Sequence, residues 1–213
     1  MIFLNRGGRF EGIPLPAEAQ FSPAFGVSIA DFDGDGSEDL FLAQNFFGMD
    51  VETSRQDAGA GLVLLGDGRG HFRSLDPRQA GLSMPGEQRG SAVADVDADG
   101  RPDLAVGLQS GKTRIFRNRT GKPGVRVALE GPAGNPDGIG AGVRLVMGSR
   151  LGPVREIHAG AGFRSQDSPE ILLATPQDPT AVEVRWPGGK VQRCEWPVGA
   201  RSVVIRAEGL RPR

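Results

Sequence analysis

Two nine-residue stretches, DFDGDGSED (Asp31 to Asp39) and DVDADGRPD (Asp95 to Asp103), place aspartate at positions one, three, five and nine. Like charges at this spacing repel one another in water, so the pattern calls for a counter-ion. Alternate residues of a tight loop point inward, which converges Asp31, Asp33 and Asp35 on one point, and Asp95, Asp97 and Asp99 on another. Gly36 and Gly100, at position six, permit the sharp turn. The position-seven carbonyls (Ser37, Arg101) and the position-nine carboxylates (Asp39, Asp103) complete an oxygen-only shell. A hard cation taking about six to eight oxygens at about 2.3–2.6 Å fits such a donor set, which favours calcium over magnesium. Two calcium sites are therefore expected. Without an ion, the crowded carboxylates would raise one another's pKa and oppose folding.

Two other readings of the spacing are weaker. An EF-hand needs a bidentate glutamate at position twelve, where this chain has Leu42 and Val106, and it needs flanking helices. Plain Asp-Gly turns need no ion, but they do not explain two loops in register with their flanks.

Those flanks are the elements that must position the loops. GVSIADFDGDGSEDLFLA (26–43) aligns without a gap on GSAVADVDADGRPDLAVG (90–107). A short segment mixing small and apolar residues precedes each loop, and an apolar run follows it, so both flanks read as strands. A second recurring element is an apolar pair before a glycine-rich turn: IFLNRGGRF (2–10), VLLGDGRGHF (63–72) and IFRNRTG (115–121). Four short strands per cycle of about 60 residues is what a propeller blade needs. The count gives about two and a half blades, fewer than a closed ring. An apolar end face near Ile2, Phe3 and Leu4 is expected, covered by upstream propeller blades, self-association or the C-terminal region.

Composition bounds the rest. Glycine (33) and proline (16) are abundant, favouring turns and short strands over long helices. Residues 1–120 carry 12 basic and 17 acidic side chains, and residues 121–213 carry 13 and 9. With the turn-rich Gly121-Lys122-Pro123-Gly124, this places a domain boundary between 1–120 and 121–213. The near-neutral total gives no case for nucleic acid. No apolar run approaches a membrane span, so membrane insertion is not expected. The lone Cys194 excludes an internal disulfide.

The DxDxDGxxD loops between short strands resemble the FG-GAP (VCBS-type) repeat of integrin α-like propellers. The resemblance implies calcium held by the four aspartates and the position-seven carbonyl of each copy. Phe25-Gly26 matches the start of that repeat, while the second copy has Arg89-Gly90. Further along, NPDGIGAGVRLVMG (135–148), HAGAGFRSQDSP (158–169) and TAVEVRWPGGKVQ (180–192) are similar to the ASPIC/UnbV domain, which follows such repeats in exported proteins and in the cartilage acidic protein family. Gly142 and Ala174-Thr175-Pro176 depart from that domain's usual pattern.

Read from residues alone, 121–213 holds six or seven short apolar or alternating segments, a sandwich or barrel. The fold expected is all-β: partial β-propeller, then β-sandwich or barrel. Trp186 and Trp196 read as core rather than as a sugar platform, and Asn135-Pro136-Asp137-Gly138 as a turn. Ser165, Asp167 and His158 are close in sequence, but no nucleophile-elbow pattern frames the serine, so no enzyme is expected. The function expected is a calcium-binding module of an exported or cell-surface protein, engaging a protein or glycan ligand. The alternative is the accessory C-terminal region of a larger exported enzyme.

Overall fold

A computed structural model describes residues 1–213. The class is all-β, with propeller-like small sheets leading into a two-sheet sandwich. In the first part, β1 (Ile2–Asn5) and β2 (Phe10–Ile13) form an isolated hairpin. The next sheet is a four-stranded meander of β3 (Ala24–Ala30), β4 (Asp39–Gln44), β5 (Leu62–Gly66) and β6 (Phe72–Ser74). A three-stranded sheet of β7 (Gln88–Ala94), β8 (Asp103–Leu108) and β9 (Arg114–Phe116) follows. The aspartate loops are the β3–β4 and β7–β8 connections.

Burial on both faces explains the unbroken apolar runs of β4 and β5. Phe41, Ala43, Val63 and Leu65 pack against Leu104 and Val106 of the next sheet. Leu40, Leu42, Leu62 and Leu64 form a cluster on the other face, joined by Ile2, Leu15 and Phe72. The strands β3 and β7 lie side by side: Ser28 and Ser91, 63 residues apart, share a buried hydroxyl–hydroxyl bond of 2.7 Å. Phe25 and its counterpart Arg89 stack on each other, with the guanidinium 4.1 Å from the ring centre.

The end face differs in part from expectation. Ile2 and Leu4 are half-buried against the four-stranded sheet, while Phe3 and Phe10 face outward at 64% and 73% exposure. Strand alternation divides the hairpin's apolar residues between two faces.

Val125–Glu130 (β10) pairs with the sandwich and not with β9. Its sheet runs in the order β14 (Ile171–Leu173), β10, β17 (Ser202–Arg206), β18 (Gly209–Pro212), with β10 and β17 parallel. The facing sheet holds β11 (Gly142–Met147), β15 (Ala181–Arg185) and β16 (Val191–Glu195), with the short β12 (Arg150–Leu151) and β13 (Arg155–Glu156) also on β11. Inward residues of both sheets, among them Val127, Val143, Leu145, Val182 and Val203, make one core. Trp196 is buried in it and Trp186 packs at its margin, as core residues.

Candidate functional site

Each aspartate loop is built on the same hydrogen-bond frame. Asp31 accepts from the backbone N–H of Gly34, Asp35 and Gly36 at 2.7–3.1 Å. In the second loop Asp95 accepts from Asp99 and Gly100 at 3.0 and 2.9 Å. Gly36 and Gly100 have φ of 92° and 85°, the left-handed region the turn needs. At position nine, Asp39 accepts from Phe32 N–H and Gly66 N–H, and Asp103 from Val96 N–H and Asn118 N–H. These two carboxylates, each 1% exposed, fasten the loop to the following hairpin. Position nine therefore has a structural duty that spacing alone does not show.

Carboxylate oxygens of Asp31, Asp33 and Asp39 lie within 4.8 Å of one another, as do those of Asp95, Asp97 and Asp99. Asp35 lies outside the first set and Asp103 outside the second. Ser37 N–H donates to Asp35 at 2.7 Å, and Arg101 N–H to Asp99 at 2.9 Å. The donor set is oxygen throughout, which suits a hard cation. Burial pushes the Asp31 carboxyl up to about 6 and that of Asp39 to about 7, against the N–H bonds each accepts; the neighbouring aspartates add to the rise. Asp103 is raised by burial as well. Mutual repulsion, the cause expected from spacing, thus contributes less than loss of solvation.

Around the loops, charge is arranged differently. Asp99 pairs with Arg101 at 2.5 Å, Asp97 with Arg117 at 3.6 Å and Asp95 with Arg126 at 3.8 Å. No ion pair reaches Asp31, Asp33, Asp35 or Asp39; the nearest is between Glu38 and Arg155.

The segment between β9 and β10 is stitched to both loops in alternation. Asn118 Nδ2 donates to Phe32 O and Lys122 N–H to Asp33 O, both in the first loop. Gly121 O accepts from Arg101 and Gly124 N–H donates to Gly100 O, both in the second. A Cβ on Gly121 would sit 2.3 Å from Phe32 O, so only glycine fits there.

The sandwich then grips the propeller-like part at repeat-equivalent residues. Arg155 Nη1 donates to Ile29 O at 2.6 Å. Val93, 64 positions on, donates its N–H to Asp167 Oδ1 at 2.7 Å and accepts from Ser168 N–H at 3.0 Å. Phe163 packs edge-on against Phe25 at 5.9 Å. The 158–168 loop that does this is held by Gln166, whose side chain bonds His158 O and Gly160 N–H. The Asp167 carboxyl thus reaches across to β7. In the remaining motifs, Asn135 closes its turn onto Ile139, and Trp186-Pro187-Gly188-Gly189 joins β15 to β16.

Residues 131–211 match the family model described as ASPIC and UnbV. The matched region begins just after β10 and takes in the 158–168 loop. A wider similarity extends into the aspartate loops. Cartilage acidic protein 1 from Homo sapiens is 26% identical over 191 residues, covering 86% of this chain. The chain spans 28% of the length of that curated relative. No helix of the chain is long and apolar enough to cross a membrane.

Proposed function

We propose that this chain is a non-catalytic calcium-binding module of an exported or cell-surface protein, of the FG-GAP type in its first part, that engages a protein or glycan partner. The observation that carries this reading is the duplicated loop, with one hydrogen-bond frame used twice and three carboxylates gathered in each copy, at positions one, three and nine in the first and one, three and five in the second. Asp31, Asp33 and Asp39 would hold one ion, and Asp95, Asp97 and Asp99 the other, with Asp35, Asp103 and the Ser37 and Arg101 carbonyls available to complete the shells. Loops of this kind in extracellular modules bind with Kd of about 10⁻⁴–10⁻³ M, which suits external calcium.

Thermal melts with and without EDTA test the calcium reading. Two sites at tenfold excess over Kd stabilise the fold by about 2.8 kcal/mol together. The Asp33→Ala/Asp97→Ala double variant is expected to lose that response, and an unchanged wild-type melting temperature in chelator would contradict it.

A further inference from the structure

Asn118 is bonded to both aspartate loops at once. It donates its backbone N–H to Asp103 Oδ1 of the second loop at 2.8 Å, and its side-chain Nδ2–H to Phe32 O of the first at 2.7 Å. Its Oδ1 accepts from Thr120 N–H and Gly121 N–H at 3.2 and 3.0 Å, which sets the turn that follows. That turn lays residues 121–124 between the loops. Lys122 N–H bonds Asp33 O at 3.1 Å and Gly124 N–H bonds Gly100 O at 2.8 Å. There is no slack in this wedge. A Cβ on Gly34 would lie 2.6 Å from Lys122 O, and one on Gly100 3.0 Å from Gly124 O.

The repeat separates the duty of the Asn118 side chain from that of its backbone. Leu40 pairs with Leu64 and Leu104 with Phe116, so Gly66 is the first copy's counterpart of Asn118. Gly66 N–H bonds Asp39 Oδ1 as Asn118 N–H bonds Asp103 Oδ1. A glycine suffices for that bond. The carboxamide of Asn118 therefore adds something else: the bond to the other loop and the turn that wedges both.

We propose that Asn118 is a positioning residue for both calcium sites, and that through it and the 121–124 turn an ion in one loop strengthens binding in the other. The inference rests on the calcium reading and adds a coupling between its two sites. An ion in the first loop fixes Phe32 and Asp33, whose carbonyls Asn118 and Lys122 need. The same turn then holds Gly100 and Arg101 of the second loop. Emptying the first loop lets its three gathered carboxylates part, and the turn loses two of its bonds. Coupling between binding sites is reciprocal, so each ion raises the other's affinity by the same factor. Long-range charge acts in the opposite sense, because a bound cation weakens the field that draws the next one. The sign of the coupling therefore identifies its route.

In the test, calcium chloride is titrated into the metal-free, nitrogen-15-labelled chain in about 0.15 M salt, which screens charge beyond about 8 Å. The Gly36 and Gly100 amide resonances report the first and second loop. Asp33→Ala keeps the Asp33 carbonyl, and it is expected to raise the calcium midpoint at Gly100 about fivefold over wild type. Asp97→Ala should raise the midpoint at Gly36 by the same factor. In the Asn118→Ala background, either substitution should move the opposite loop by less than about twofold, a loss of cross-effect that mere support of the fold would not produce. If Asn118→Ala unfolds, the reciprocal pair Asp33→Ala and Asp97→Ala, with residues 118–124 intact, decides the coupling. Midpoints unchanged or lowered by emptying the opposite loop would overturn it while leaving two calcium sites. Cross-effects that persist in folded Asn118→Ala would overturn the role of Asn118. No shift of either amide would overturn the calcium reading itself, and the coupling with it.

Discussion

The two aspartate loops share a backbone and differ in what neutralises them. Asp95, Asp97 and Asp99 each have an arginine partner, whereas the four aspartates of the first loop have none. Position four differs as well: Gly34 at φ 75° abuts Lys122, where a Cβ would lie 2.6 Å from its carbonyl oxygen, while the exposed Ala98 adopts φ 61° in the second loop. One spacing thus gives two electrostatic solutions. The first loop has no cationic side chain of its own and is locked against the inter-sheet segment; the second carries part of its own compensation.

The largest consequence concerns the fold itself. Gly34→Ala forces a side chain onto Lys122 backbone in a left-handed conformation, and a loss of about 2–4 kcal/mol is expected in denaturant melts. Ala98→Val at the equivalent, exposed site should cost clearly less; equal losses would break the comparison.

Next comes calcium affinity. With no arginine competing for its carboxylates, the first loop should bind calcium about tenfold more tightly than the second, a difference of about 1.4 kcal/mol. Hydrogen exchange in chelator should accordingly rise more across 31–39 than across 95–103.

The pH response follows from burial. Asp31 and Asp39 have folded-state pKa values of about 6 and about 7, above the unfolded carboxylate range. Groups raised in this way stabilise the fold fully below their unfolded pKa and lose that contribution as pH climbs through the folded value. In chelator, the melting temperature should therefore fall between about pH 4 and pH 7. Saturating calcium should flatten or reverse the trend, because ligation favours the ionised form. A chelated protein equally stable at pH 5 and pH 8 would contradict the assignment.

The smallest effect expected is that of Arg117→Ala. This exposed partner of Asp97 is worth at most about 1 kcal/mol, so its loss should tighten calcium binding at the second loop by no more than about fivefold. Any weakening would mean that the arginine supports the site instead of competing with it.

Much of this arrangement was legible in the residues. Both loops, their registered flanks and the alternating strands of the sandwich follow from local spacing, since a strand's period and a turn's glycine are local properties. The arginines were not legible, because Arg117 and Arg126 approach Asp97 and Asp95 only once β9 and β10 have folded back. The stitching of residues 118–124 to both loops, and the reach of Asp167 to Val93, are likewise long-range bonds without a sequence period. Spacing also suggested that repulsion would perturb the carboxylates, whereas burial is the larger cause, and burial depends on what packs above the loop. The two-residue β12 and β13 are too short to leave a pattern.

Calorimetric titration of calcium into the metal-free chain, beside Asp33→Ala and Asp97→Ala, tests the central claim most directly. Two sites of unequal affinity are predicted for the wild type, with the tighter lost in Asp33→Ala and the weaker in Asp97→Ala. Absence of binding at millimolar calcium, or a single site untouched by either substitution, would contradict it.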